Sequence, residues 1–230
     1  MRRLPSASLA ALLLLGPGSA CVPDPAPSQD PDPTPAPPRP PDGAYARDDV
    51  LRLTDAQAKG THNSYHLEPA NPIADSHRYN QPTLTEQLER DGVRQFELDL
   101  HYRVAAGFEV FHLPVLDART TCLALATCLG EIADWSDAHP FHLPLLVWFE
   151  PKDEDADALD PDLLPLLGRW GELESLLLEV LGRGRIVGPS DVQGEAGSVG
   201  EAVLTSGWPT LRATRGKVVF ALLDGGSRRA

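Results

Sequence analysis

Polar side chains end or follow four short apolar runs of the sequence. Residues two apart in a strand share a face, so Glu97 and Asp99 would point the same way and repel each other unless a cation or a shared proton lies between them. The four polar groups are Gly60-Thr-His-Asn63, Glu97 with Asp99, His112, and Glu150 with Lys152.

The residue types in these groups favour a hard cation and proton transfer. Asn63, Glu97, Asp99 and Glu150 offer oxygen donors, which suit Ca²⁺ better than Zn²⁺. His62 and His112 remain to donate or accept protons. A cation beside two imidazoles is suited to attack on a phosphate ester, because one group stabilises charge while another protonates the leaving oxygen.

Each group also has a simpler interpretation. A lone histidine is more often a hydrogen-bonded structural residue, and a Glu-x-Asp pair is more often the solvated face of a strand. Lys152 fits a surface lysine in an acidic loop equally well. The occurrence of such groups at four successive strand ends favours a site, because active sites of barrels lie at the carboxyl ends of their strands.

The elements that must position these residues alternate between strand and helix patterns. This alternation predicts βα units and a mostly parallel sheet. Residues 45–230 are fewer than the ~250 of a typical (β/α)₈ barrel, so we expect an α/β fold of TIM-barrel type that stops after about five strands. The predicted strands are 57–61, 94–101, 109–112, 143–150 and 217–223, and the predicted helices are 83–92, 125–137, 163–181 and 198–205.

The first 44 residues carry signals for export and tethering. Residues 1–20 combine Arg2 and Arg3 with a short apolar run and small residues, as in a signal peptide. Cys21 follows, at the position of the lipidated cysteine in bacterial lipoproteins, so both lipidation and simple secretion stay open. The proline-rich remainder of residues 21–44 predicts an extended tether before a domain at 45–230. We expect an exported protein, either attached to the cell envelope or secreted.

Composition excludes several classes of function. The net charge of −13, from 20 basic and 33 acidic residues, argues against binding of nucleic acid through a basic surface. No segment approaches the ~20 consecutive apolar residues of a transmembrane helix. The three cysteines match no paired zinc motif.

The combined motifs resemble those of the phosphatidylinositol-specific phospholipase C superfamily. The resemblance rests on Gly60-Thr-His-Asn-Ser-Tyr65, residues 87–99, His112 and residues 148–152, and it spans about residues 55–224. It is closest to the secreted, Ca²⁺-dependent bacterial branch. It implies the barrel of the phospholipase C-like phosphodiesterases and cleavage of phosphatidylinositol to diacylglycerol and a cyclic inositol phosphate. Family members carry further strands beyond the one that ends near residue 224.

The resemblance also assigns roles to individual residues. His62 would stabilise the phosphoryl transition state, and His112 would act as general acid towards the diacylglycerol oxygen. Asn63, Glu97, Asp99 and Glu150 would hold Ca²⁺, and Glu97 could also take the proton of the inositol 2-hydroxyl. Lys152 would contact the phosphate. In an exported chain, Cys122 and Cys128 are expected to form a disulfide that resembles a bridge of the bacterial branch; two buried free thiols are the alternative.

Three functions stay open at this point. The first is a Ca²⁺-dependent phosphodiesterase whose substrate is a phospholipid at a membrane surface. The second is a glycerophosphodiester phosphodiesterase, although those enzymes usually carry His-Arg-Gly where this chain has His62-Asn63-Ser64. The third is a truncated, inactive surface lipoprotein that binds Ca²⁺ or inositol headgroups, which the missing C-terminal strands would explain.

Overall fold

A computed structural model of the protein describes residues 45–153 and 160–223. Within these residues the chain alternates between strands and helices, as the sequence predicts. The strands are β1 (Lys59–Gly60), β2 (Val93–Arg103), β3 (Gly107–Val110), β4 (Leu145–Pro151), β5 (Ile186–Val187) and β6 (Val218–Leu222). The helices are α1 (Leu84–Glu89), α2 (Leu125–Ala138), α3 (Trp170–Leu181), α4 (Pro189–Gln193), α5 (Val199–Ser206) and α6 (Leu211–Thr214). The predicted Cys21 and signal peptide lie outside the described residues.

Five of the strands form one parallel sheet in the order β1-β2-β4-β6-β5. The predicted α/β class is therefore confirmed. Among the described residues the sheet stays open, with β1 and β5 at the ends of this order. The register sets Asp99 of β2 directly beside Glu150 of β4, and Glu97 beside Trp148.

The strand predicted at 109–112 is present as β3, although it begins and ends two residues earlier. β3 pairs antiparallel with β2, with Phe108 opposite Tyr102. The three residues 104–106 between the two strands allow a hairpin but not the crossover of a dozen or more residues that a parallel pair needs. The two-residue strand β5 was missed, because so short a strand leaves no alternating pattern in the sequence.

Strand β2 is buried on both of its faces. Phe96, Leu98 and Leu100 are each 0% exposed and belong to the main hydrophobic core. The alternate residue Asp99 is also 0% exposed. A strand buried on both faces is typical of parallel sheets in barrels, and here a carboxylate occupies an interior position that an apolar residue normally fills.

Helices α1 and α2 cover the outer face of the sheet. Thr83 caps α1, since its hydroxyl accepts a hydrogen bond from the amide of Glu86 and the Glu86 carboxylate accepts one from the amide of Thr83. Leu88 of α1 and Ile132 of α2 are buried in the same core. No helix among the described residues has the length and apolar character to cross a membrane.

Helix α3 begins later than predicted. The leucine pattern predicted a helix from residue 163, but the helix begins at Trp170. Gly168 adopts a φ of 86°, in the left-handed region, which ends any right-handed helix before it. Leu163 instead forms an isolated bridge with Arg103, next to the β2–β3 hairpin.

A disulfide joins Cys122 to Cys128, as predicted. Both residues belong to the hydrophobic core, and Cys128 lies in the first turn of α2. The bridge therefore ties the segment that follows β3 and His112 to the start of α2.

Candidate active site

The segment 61–66 is held against the middle of β2 by a network of short hydrogen bonds. The amide of Ser64 donates to the carbonyl of Glu97 (3.0 Å), and the Ser64 hydroxyl accepts from the amide of Glu97 (2.9 Å). The Gln87 side chain of α1 donates to the carbonyl of Ser64 (2.6 Å). Asn63 has a φ of 43°, and asparagine tolerates this left-handed conformation better than most residues. These bonds position His62 and Asn63 at the sheet edge.

Glu97 lies between His62 and Asn63. Its Oε2 accepts a hydrogen bond from the amide of Asn63 (3.0 Å) and is 3.4 Å from Nε2 of His62. The His62 side chain is 76% exposed and that of Glu97 is 12% exposed. An exposed imidazole thus lies next to a nearly buried carboxylate.

Lys152 bridges Asp99 and Glu150. Its Nζ is 3.1 Å from Oδ2 of Asp99 and 2.8 Å from Oε1 of Glu150. Burial raises the pKa of Asp99 to about 7, although Lys152 acts in the opposite direction. Burial alone would lower the pKa of Lys152, but the two carboxylates outweigh it and the pKa is raised.

His112 is held by a buried aspartate that the sequence analysis missed. Nδ1 of His112 lies 2.9 Å from Oδ2 of Asp117, whose side chain is fully buried. His112 lines the cleft described below, so Nε2 is the ring nitrogen left for a ligand. Burial lowers the pKa of His112, and the hydrogen bond to Asp117 partly opposes this effect.

Two more histidines that the sequence left unassigned contact the same carboxylate. Nδ1 of His77 is 2.9 Å from Oδ2 of Asp117, and Nε2 of His66 is 3.0 Å from each Asp117 oxygen. His66 also faces the carbonyl of Tyr79 through Nδ1 (3.1 Å) and stacks on the Tyr79 ring. The short separation of five residues between His112 and Asp117 was the one feature of the sequence that could have indicated this contact.

One cleft brings the two predicted catalytic histidines together. It has a volume of about 340 Å³. Among its lining residues are His62, Asn63, His77, Tyr79, His112 and Asp117. His101 does not line it: this residue is buried, its Nε2 lies 3.0 Å from the carbonyl of Phe111, and burial lowers its pKa to about 4.

The predicted Ca²⁺ ligands lie at adjacent strand ends but do not converge closely. Among the described residues, the ligating atoms of Glu97, Asp99 and Glu150 do not form a set within 4.8 Å of one another. The ammonium of Lys152 lies between two of them. These residues nevertheless fit a cation site. The fully buried carboxylate of Asp99 is neutralised by the ammonium of Lys152. This ammonium is carried by a flexible side chain, so a hard divalent ion could replace it.

The chain is similar to known proteins in sequence and in fold. Residues 101–230 match the family model described as phosphoinositide phospholipase C, Ca²⁺-dependent. The calcium-dependent phosphoinositol-specific phospholipase C of a Gram-negative Pseudomonas species shares the fold, with 22% identity and a TM-score of 0.53 over 77% of this chain and 59% of that chain.

Two further proteins are similar to this chain over a smaller share of their own length. The Ca²⁺-dependent phosphatidylinositol-specific phospholipase C of Streptomyces antibioticus is 28% identical, with a TM-score of 0.51 over 72% of this chain and 51% of that chain. An uncharacterized protein of Mycobacterium tuberculosis is 34% identical over 128 residues, which are 50% of this chain and 26% of the relative. The chain thus spans about a quarter of the mycobacterial protein and between half and three-fifths of the two solved structures. Since the family model matches more than half of the chain, the protein belongs to the family of Ca²⁺-dependent phosphoinositide phospholipases C.

Proposed function

We propose that the protein is a Ca²⁺-dependent phosphodiesterase that cleaves phosphatidylinositol, at a membrane surface, to diacylglycerol and a cyclic inositol phosphate. The observation that carries the proposal is the placement of His62 and His112 on one cleft of about 340 Å³. The carboxylate of Glu97 in β2 lies 3.4 Å from the His62 ring that lines this cleft. The proposal includes export through the signal peptide of residues 1–20, followed either by attachment to the cell envelope through a lipidated Cys21 or by secretion.

Asn63, Glu97, Asp99 and Glu150 would hold the Ca²⁺. When bound, the ion would supply positive charge to the phosphate and to the attacking hydroxyl. Glu97 is suited to accept the proton of the inositol 2-hydroxyl, since its Oε2 is fixed by the amide of Asn63. The hydroxyl oxygen then forms a bond to phosphorus, and His62, with its exposed ring, donates a hydrogen bond to a non-bridging phosphate oxygen.

His112 would complete the reaction as general acid. The bond that breaks joins phosphorus to the diacylglycerol oxygen, and Nε2 of His112 gives this oxygen a proton. Asp117 is the positioning residue, because it accepts the Nδ1 hydrogen of His112 and so directs Nε2 to the cleft. Lys152, once released from Asp99 and Glu150, would contact the phosphate.

The test is turnover by the full chain on vesicles that contain phosphatidylinositol, with Ca²⁺ and then with excess chelator. We expect a cyclic inositol phosphate in the ³¹P spectrum with Ca²⁺ and none with chelator. His112→Ala should lower turnover by about 10²–10⁴-fold, the usual contribution of a general acid. His139→Ala is the matched control, because His139 stacks on Trp135 and does not line the cleft.

A second substrate distinguishes the proposal from its alternatives. An analogue whose inositol 2-hydroxyl is methylated should not turn over, since cyclisation needs that oxygen. Hydrolysis of this analogue would instead support a glycerophosphodiester phosphodiesterase. Ca²⁺ binding by a folded sample that turns over neither substrate would support an inactive binding protein.

A further inference from the structure

Three imidazoles contact one buried carboxylate, that of Asp117. Nδ1 of His112 and Nδ1 of His77 each lie 2.9 Å from Oδ2, and His66 contacts both oxygens at 3.0 Å. Nδ1 of His112 is hydrogen-bonded to Oδ2, whereas the buried Nδ1 of His77 has no hydrogen-bond partner among the described residues. Orienting His112 for proton transfer requires one aspartate and one imidazole. His77 has no part in that arrangement, so its position calls for a separate explanation.

The ligating atoms of His77, His112 and Asp117 lie within 4.8 Å of one another. A tetrahedral Zn²⁺ site places its ligands ~2.0–2.2 Å from the ion, which separates neighbouring ligand atoms by roughly 3.4 Å. The contacts of 2.9 Å to Asp117 are close to this separation. Small movements of two side chains would therefore admit an ion.

The surroundings of Asp117 resemble the support that metal ligands receive. His66 contacts the carboxylate through Nε2 and the carbonyl of Tyr79 through Nδ1, so the ring and the carboxylate fix each other. On the open side, the side chains of His77 and His112 are 12% and 22% exposed and line the cleft. Three protein ligands with a fourth position open to a cleft are typical of accessible zinc sites.

We propose that His77, His112 and Asp117 form a binding site for a borderline transition-metal ion such as Zn²⁺, distinct from the oxygen ligands of β2 and β4. Two imidazole nitrogens with one carboxylate favour Zn²⁺ over Ca²⁺, which prefers six to eight oxygens. Occupation of the site inhibits the proposed phospholipase, because the ion takes Nδ1 of His112 from Asp117, which otherwise positions the ring for proton transfer. Only this inhibitory consequence rests on the proposed function.

Metal binding is tested without reference to activity. Co²⁺ is titrated into the full chain, purified without a histidine tag and with Ca²⁺ in excess. We expect one equivalent of Co²⁺ to give the intense visible absorption of a four-coordinate ion, and Zn²⁺ to displace it. His77→Ala should weaken Zn²⁺ binding at least 10-fold in calorimetry, since even outer-shell partners of metal ligands contribute 10–100-fold. His139→Ala should bind Zn²⁺ like the wild type.

Two results would overturn the site: no saturable Co²⁺ spectrum with folded wild-type protein, or unchanged Zn²⁺ affinity in His77→Ala. If His77→Ala does not fold, His77→Gln replaces it, because glutamine retains most of the side-chain volume. Where the wild type is active, its half-inhibitory Zn²⁺ concentration should rise at least 10-fold in the His77 variant. A protein that binds one Zn²⁺ through His77 but never turns over phosphatidylinositol would refute the proposed function and leave the metal site intact.

Discussion

Replacing Lys152 by methionine should tighten Ca²⁺ binding. In the metal-free protein, the ammonium is 3.1 Å from Asp99 and 2.8 Å from Glu150, two of the proposed ligands. A pair of unit charges 3 Å apart interacts by about 5 kcal/mol at an effective dielectric constant of 20. The Lys152 side chain is 15% exposed, so solvent screens these contacts only in part. Ca²⁺ must break both contacts before it can bind in their place.

The net gain is much smaller than this Coulomb energy. The displaced ammonium recovers hydration, and it remains close to other anionic groups of the site. We therefore expect Lys152→Met to improve the dissociation constant of Ca²⁺ by 10–100-fold, which corresponds to about 1.4–2.7 kcal/mol. Turnover should fall in the same variant, because Lys152 is the proposed contact of the phosphate.

Calorimetric titration of Ca²⁺ at pH 9 measures this effect. An alkaline pH is needed because burial raises the pKa of Asp99 to about 7 and loss of Lys152 raises it further, so protons would compete with Ca²⁺ at neutral pH. Lys59→Met, a change at an exposed lysine of β1, is the control for the loss of one positive charge. Unchanged or weaker Ca²⁺ binding by Lys152→Met at pH 9 would refute the competition between the ammonium and the ion.

Three other measurements probe the site and its support. Asp117→Asn should lower kcat by about 10²–10⁴-fold, with little change in KM, because His112 loses its orientation; an unchanged kcat would show that His112 needs no partner. Since the folded pKa of Asp99 is about 7 and its unfolded value about 3.8, ionisation of Asp99 should cost the Ca²⁺-free protein about 3 kcal/mol of unfolding free energy between pH 4 and pH 7, and Asp99→Asn should abolish this loss. Replacing Cys122 and Cys128 by serine should cost about 2 kcal/mol in urea unfolding, the entropy of a loop of this length; no change would mean that α2 alone fixes the segment.

Local patterns were sufficient to predict the elements that present the site. The alternation around Glu97 and Asp99 predicted a strand with two chemically different faces, and β2 has both. The helix predicted at 83–92 begins one residue later, at Leu84, directly after its cap Thr83. These features depend on neighbours in the sequence, where periodicity and capping carry the information.

Contacts between distant segments could not be predicted in the same way. Asp117 and His66 are 51 residues apart in the sequence and are brought into contact only by the tertiary fold. The position of Lys152 between two carboxylates likewise follows from the register of β2 against β4, in which Asp99 stands beside Glu150. Hydrophobic pattern alone does not determine such pairings, because a lysine after a strand end fits a solvated loop equally well.

One face of β2 packs in the hydrophobic core and the other carries the proposed site residues. Substitutions in this strand should therefore change stability and catalytic rate together. A substitution at Leu98, on the covered face, shifts the backbone that carries Glu97 and Asp99. Libraries that repack this strand for heat resistance should therefore yield many robust but slow variants. Loops that end at the cleft, such as residues 67–82, contribute little to the core and offer safer positions for altering headgroup preference.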